Sequence, residues 1–501
     1  MMLGCLSVLG CHTRSDDAGT VVVLIESSPN SLDPRVGTDA QAEKIDGLIF
    51  DALVRKDERY EFKPWLATSW ERPDATTWVF HLRDGVRFQD GRPLGAEDVA
   101  WTINSMVDGT LITAKGGNFA SVQTARAKDR LTVEVKMKRA DESLLFNLSD
   151  GLFGVVPKGS GREFGRVPVG SGAFRFVSAE QDKEVVLERV PSYWAGSRGN
   201  IERLRLSVVP DAVTSALELR KHSADVAVNV VTLDMVRALE RVPGLKDETG
   251  PGSPVMYMNF NVTAAPLNDK RVRQAVAFAM DRKAIVDALW LGRARVADTL
   301  LPPGHWAAAA PGELTQYPHD PARAAALLEA AGYHADKDGV RLRLEMKTST
   351  DETTRLLAEI LQQQLRAAGI ALTLRSSEFG TFYADVTRGA FQMYALRWIW
   401  SNEDPDIFHY AFATSQMPPV GGNRGRYSNA RVDSLLAAAA TTPDVSARRA
   451  DYVEVQKILA DELPAIPLWY PNNNIVHTDR VSGIVGDGSG SFDFLRDAVV
   501  K

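Results

Sequence analysis

The chain has 501 residues, of which 45% are hydrophobic and 24% charged, and carries a formal net charge of −6. Its length exceeds what one hydrophobic core fills, so two or three domains are expected; the mild acidity, with no Lys/Arg run, argues against a nucleic-acid partner. Its two cysteines, Cys5 and Cys11, both fall in the first eleven residues, which excludes a disulfide or a thiolate metal site within the folded body.

In chain order, Met1 to Gly10 is almost wholly apolar, and Val8-Leu9-Gly10-Cys11 has the look of a lipoprotein cleavage site, with Cys11 as the acylated residue. The apolar core is short and no Lys or Arg precedes it, unlike an ordinary export signal. His12 to Thr20 is polar and reads as a tether. No later stretch approaches the ~18 apolar residues of a membrane span. Thr20 to Glu26 is a β-branched run and predicts a buried strand. Ser27-Ser28-Pro29-Asn30 breaks it, and Leu32-Asp33-Pro34 turns the chain because a residue before proline avoids the helical region. Apolar residues at Ile45, Leu48, Ile49, Ala52 and Leu53 predict a helix over 42–54. Pro64 to Glu71 and Trp78 to Gly91 predict two alternating strands ending in turns, the second leading Ala96-Glu97-Asp98-Val99 into a helix.

Leu131 to Met137 predicts a strand. Pro168-Val169-Gly170-Ser171-Gly172-Ala173-Phe174 is a glycine-rich turn entering another; with no Lys-Ser/Thr pair and no helix following, it is not a phosphate loop. Val255 to Asn261 predicts a strand, and Asp269 to Trp290 one long helix on the stripe Val272, Val276, Ala279, Met280, Ile285 and Leu289. A helix follows Asp320-Pro321, with Asp as N-cap and Pro in the first turn, ending near Gly332. Strands at 342–346 and 370–374 flank a helix at 356–368, a β-α-β alternation that argues for an α/β unit. Helices at 432–440 and 447–462 precede the extended apolar segment 463–470.

Signatures of catalysis are missing. The eight histidines are scattered without zinc-ligand spacing, and there is no HExxH, GxSxG or Walker A pattern. No enzyme and no cofactor is expected.

The order of Leu32-Asp33-Pro34, the block from Pro64-Trp65-Leu66-Ala67-Thr68-Ser69-Trp70 to Phe88-Gln89-Asp90-Gly91, the Gly170–Phe174 turn, Ser192-Tyr193-Trp194-Ala195-Gly196, Asp269 to Arg282 and Ala465-Ile466-Pro467-Leu468 resembles the extracytoplasmic solute-binding proteins of peptide-type ABC importers. The resemblance runs from about residue 20 onward. It implies an α/β fold of the periplasmic binding protein-like type II class, with two main lobes joined by two hinge strands and an inserted third lobe. The first lobe would combine 20–50, 168–253 and 476–501, the insert would be 51–167, and the remaining lobe 254–475, after a signal or anchor region at 1–19. Chain crossings are expected near 255–260 and 470–476.

The resemblance further implies a monomer that closes on a di- or oligopeptide and hands it to membrane permease subunits with their ATPase, in the periplasm or cell envelope. Candidate ligand contacts are Ser27 and Ser28 after the first strand, Phe119 on the insert, the loop Arg397-Trp398-Ile399-Trp400-Ser401 with Asp404, and Asn423-Arg424. In the resembled loop an Asp meets the peptide ammonium; here Ser401 holds that place, and serine cannot neutralise a buried cation. Glu403 or Asp404 would take over, or the ligand carries no ammonium there. A sugar, an opine, haem or a chelated metal therefore remains an alternative cargo. So do an enzyme built on the same lobes, which a perturbed acid or nucleophile in the cleft would support, and a sensory domain, which would need a DNA-binding helix pair or a signalling extension.

Overall fold

The β-branched run after the polar start forms the strand Thr20–Ile25. It lies between Arg203–Val208 and Val226–Val228, parallel to both, in a seven-stranded sheet. Val21, Val23 and Ile25 face one apolar core. Leu24 faces a second, under the helices Ala212–Arg220 and Leu233–Leu239. A strand covered on both faces needs no polar alternation, which accounts for the unbroken apolar run. The computed structural model describes residues 18–399 and 403–501.

Two further large sheets and two two-stranded pairs, Val54–Lys56 with Phe62–Pro64 and Val481–Ser482 with Val499–Val500, carry the other strands of the described residues. Ala67–Asp74, Thr77–Leu82, Thr132–Met137 and Val122–Ala127 make an antiparallel four-stranded sheet, roofed by the helix Ala96–Val107 through Val99, Ala100 and Ile103. A six-stranded sheet runs Ala294–Val296, Ala465–Pro471, Val255–Phe260, Met393–Trp398, Leu342–Thr348 and Ile370–Ser376. Its faces are covered by two apolar clusters. The architecture is mixed α/β.

Several elements follow their local signals. Asp320 caps Pro321–Ala330 by accepting from the Arg323 amide at 2.9 Å. Gly369 ends the turn after Glu352–Ala367 at φ +83°, a conformation that favours glycine. The single helix expected over 269–290 is two: Lys270–Ala279 and Arg282–Trp290. Met280 is extended, and the Asp281 carboxylate accepts from the Ala284 amide at 2.8 Å. The apolar stripe runs through both helices, so periodicity alone could not show that an N-cap competes with the helix interior at Asp281.

The sequence blocks around the glycine-rich turn interlock. Asp51, 2% exposed, accepts from Trp65 Nε1 at 2.8 Å, Ser171 Oγ at 2.9 Å, Tyr193 OH at 2.9 Å and Trp194 Nε1 at 2.8 Å. Gln89 Nε2 donates to the carbonyls of Ile49, Gly172 and Phe174, while Gln89 Oε1 accepts from the Gly170 amide at 3.0 Å. A Cβ on Gly170 would stand 1.9 Å from the Ile49 carbonyl oxygen. The glycine is there because two backbones touch, not because a phosphate binds.

The chain passes between the seven- and six-stranded sheets twice. The passages sit at 248–254, just before the expected 255–260, and at 472–474, within the expected 470–476, and they pair with each other. Gly250 and Asn473 exchange backbone hydrogen bonds of 2.9 Å each, and the Asn473 side chain reaches the carbonyls of Asp487 and Gly488. The two connecting segments thus form one short ribbon.

Candidate functional site

Two cavities open between the sheets. One, of about 660 Å³, has Glu26, Asn229 and Thr232 on the side of the seven-stranded sheet, with Trp290, Arg397 and Ile399 opposite. The connecting ribbon supplies its floor through Asn472, Asn473 and Asn474. The other, of about 330 Å³, draws on distant parts of the chain: Glu43 and Lys44 come from the helix Ala40–Ile49, Lys56 and Tyr60 from the strand Val54–Lys56 and the turn after it, Arg295 from the strand Ala294–Val296, and Glu403 from the segment after Met393–Trp398.

A buried ionic latch crosses the second cavity. Lys56 Nζ lies 2.8 Å from Glu403 Oε2, and Ser253 Oγ donates to Glu403 Oε1 at 2.7 Å. Burial pulls the Lys56 ammonium down, but the Glu403 and Asp150 carboxylates more than offset this and hold it above the ordinary lysine value. His305 supports the latch from behind. Its Nδ1 accepts from the Ala307 amide, so its Nε2 carries the proton and donates to the Glu403 carbonyl at 3.0 Å. Burial pushes this imidazole down to about 4, so it is neutral at pH 7. Tyr60 stacks on it at 5.2 Å.

Glu43 stands differently. Burial is the main cause lifting its carboxyl to about 7; Lys115 and Lys56 lower it, while Asp39 and Glu403 raise it. Asp46, one turn on, is 6% exposed, and neither of its carboxyl oxygens has a hydrogen-bond partner among the described residues. Its carboxyl is also pushed well up, again chiefly by burial. The helix thus presents a costly charge to the cleft. Because Glu43 holds its proton more tightly folded than unfolded, its contribution to stability is full below about pH 4.5 and declines as pH rises to about 7. Glu43→Gln removes that decline. Thermal melts are expected to show little change at pH 4 and stabilisation at pH 8 of at most about 3 kcal/mol.

A third cluster lies on the six-stranded sheet. The Arg424 guanidinium, 7% exposed, sits 5.2 Å from the ring centres of both Trp398 and Tyr383, and its Nη2 donates to Tyr383 OH at 2.8 Å. Trp398 stacks on Tyr257 at 5.3 Å. No carboxylate among the described residues pairs with Arg424; its partners are aromatic rings and phenols.

With this geometry in view, the comparisons with known proteins decide the family. The description "Bacterial extracellular solute-binding proteins, family 5 Middle" matches residues 61–418. The chain belongs to this family. It is 25% identical to the dipeptide-binding protein of Escherichia coli K12, over 99% of this chain and 97% of that protein. It is 26% identical to di/tripeptide-binding protein 3 of Pseudomonas aeruginosa UCBPP-PA14, over 93% of each. The structure of HbpA2 from Haemophilus parasuis superposes with a TM-score of 0.85, covering 96% of this chain and 100% of that one at 26% identity. Family 5 proteins bind and carry solutes outside the cytoplasm and are not enzymes. No helix among the described residues is long and apolar enough to cross a membrane.

For this family 5 protein, the structure brings some of the expected contacts together and separates others. Arg397 and Ile399 line the larger cavity, and Trp398 and Arg424 pack against each other beside it. Ser27 is exposed, and Ser28 Oγ accepts from the Asp182 amide at 2.8 Å. Neither lines either cavity; Glu26, the residue just after the strand Thr20–Ile25, lines the larger one. Phe119, expected as a pocket wall, is a core residue packed with the four-stranded sheet, 2% exposed and 6.1 Å from Phe153. Asn423 is 1% exposed, and its amide is spent on the carbonyls of Phe412, Ala413 and Tyr427. Asp404 accepts from the Asp406 amide at 2.9 Å, and burial pushes its carboxyl up. Trp400, Ser401 and Cys11 lie outside the described residues.

The sequence reading missed Glu43, Lys44, Lys56, Tyr60 and Arg295. One signal was available: Glu43 and Asp46 are acids on a helix whose neighbours Ala42, Ile45, Leu48 and Ile49 are buried. Acids bordering an apolar stripe warrant a functional reading.

Proposed function

We propose that this protein captures short peptides in the cleft between its lobes and delivers them to membrane permease subunits served by an ATPase. It would act as a monomer, tethered to the membrane through an acylated Cys11. The observation that carries this reading is the 330 Å³ cavity walled by all three units and bridged by the Lys56–Glu403 pair. A site assembled from separate units forms or dissolves as they move, which is what capture and release require. A ligand drives closure through the contacts it makes only in the closed state.

The names of the dipeptide- and di/tripeptide-binding relatives support peptides as the cargo. Proposed domain limits are 20–50 with 168–253 and 476–501, 51–167, and 254–475; each of the three larger sheets falls mainly within one of them. The remaining contact proposed for the loop is Ser401 with its neighbour Trp400.

Melting curves of the purified protein with di- and tripeptides test the reading. A ligand at a hundred times its Kd adds about 2.7 kcal/mol and raises the Tm by a few degrees. A rise with sugars or metal chelates, and none with peptides, would transfer the cargo assignment to those classes.

A further inference from the structure

The charge inventory of the 330 Å³ cavity is uneven. Among its lining carboxylates, Glu403 is held by Lys56 and Ser253, and Asp57 by Lys63. Asp150 accepts from the Lys56 amide, and Asp487 from the hydroxyls of Ser489 and Ser491. Asp493 faces Arg55, and Glu58 is exposed at the rim. Glu43 is largely buried and its carboxyl has no hydrogen bond or ion pair among the described residues.

On the opposite wall, Arg295 is anchored on one side only. Its Nη2 donates to the Gly252 carbonyl at 3.0 Å, and its buried Nε has no partner. No carboxylate among the described residues pairs with it; its guanidinium lies 5.9 Å from the centre of the Tyr470 ring. The cavity therefore holds a carboxyl, Glu43, and a guanidinium, Arg295, neither with an ion-pair partner among the described residues; Lys44, next to Glu43, also has no carboxylate partner, and its ammonium sits over the Phe492 ring at 5.3 Å.

We propose that Glu43 and Arg295 are the two ends of a clamp for a zwitterionic short peptide, Glu43 receiving the terminal ammonium and Arg295 the terminal carboxylate. Charge-assisted hydrogen bonds at both ends would repay the desolvation of both side chains. The groups facing Glu43 besides the ligand are Lys115, Lys56, Asp39, Asp46 and Glu403. Only the two lysines are cationic, and Lys56 is already paired. The clamp rests on the peptide reading and narrows it to ligands with both termini free.

Four synthetic dipeptide pools test it on the full chain: free, N-acetylated, C-amidated and doubly blocked, with bound masses read by native mass spectrometry and affinities by calorimetry. Wild type is expected to retain the free pool and to lose at least tenfold in affinity on blocking either end. Glu43→Gln should erase the discrimination against N-acetylation alone, and Arg295→Gln that against amidation alone. Glu43→Asp and Arg295→Lys should keep the discrimination, and melting curves would confirm that all four variants fold. Blocked pools binding wild type within threefold of the free pool would overturn the clamp and leave peptide binding standing. Variants that discriminate as wild type does would overturn it likewise. No binding of any pool would overturn the peptide reading, and the clamp with it.

Discussion

Asp51→Ala should cost about 3–5 kcal/mol of stability, the range for removing one member of a buried charged network. Four donors converge on that carboxylate: two indoles, a phenol and a hydroxyl. Alanine leaves all four without their acceptor in a site where Asp51 itself is 2% exposed, and each orphaned donor carries a desolvation cost. Asp51→Asn should cost less, because one acceptor oxygen remains, but its amide hydrogens would point at other donors. Urea unfolding followed by tryptophan fluorescence measures both. Trp65 and Trp194 are reporters within the network itself. A cost for Asp51→Ala below about 1 kcal/mol would show that water replaces the carboxylate and that the hub is not structural.

Lys56→Met should open the cleft. The variant leaves the Glu403 carboxylate buried with Ser253 as its remaining side-chain donor. Truncating one partner of a buried pair costs about 3–5 kcal/mol, and here the cost falls on the arrangement that brings Lys56 against Glu403 across the cavity. A shift of that size moves an equilibrium more than a hundredfold. Small-angle scattering of the ligand-free variant should show a larger radius of gyration than wild type. Replacing both members, Lys56→Met with Glu403→Leu, should restore much of the compactness, since apolar side chains carry no desolvation penalty. Equal radii for wild type and Lys56→Met would mean that other contacts between the units, such as Tyr60 stacked on His305, hold the arrangement alone.

What the sequence revealed and what it hid separate along a physical line. Local signals stood out where one residue decides: Asp320 before Pro321, Gly369 after a helix, the β-branched run at Thr20. The structure also shows why the signature blocks come as a set. Trp65, Gln89, Gly170, Ser171, Tyr193 and Trp194 meet around Asp51 and the end of one helix. The interior of the cleft was not legible. Lys56 and Glu403 lie 347 residues apart, and nothing local in either position announces the other. Phe119 misled because an aromatic at a helix end reads the same whether it faces a core or a pocket. The break at Met280 was invisible to periodicity, since both helices bury the same stripe.

The position of Ile475–Thr478 has a consequence for how the molecule comes into being. This strand, made long after Thr20–Ile25, fills an interior place between Val226–Val228 and Leu245–Asp247 in the sheet that holds that earlier strand. Until Ile475–Thr478 leaves the ribosome, that sheet has a gap with unpaired backbone on either side. The nascent polypeptide therefore keeps this sheet incomplete while the whole six-stranded sheet is being made. An exposed edge of this kind invites wrong partners, and a chain in that condition is also one that can still be threaded through a narrow pore before it locks.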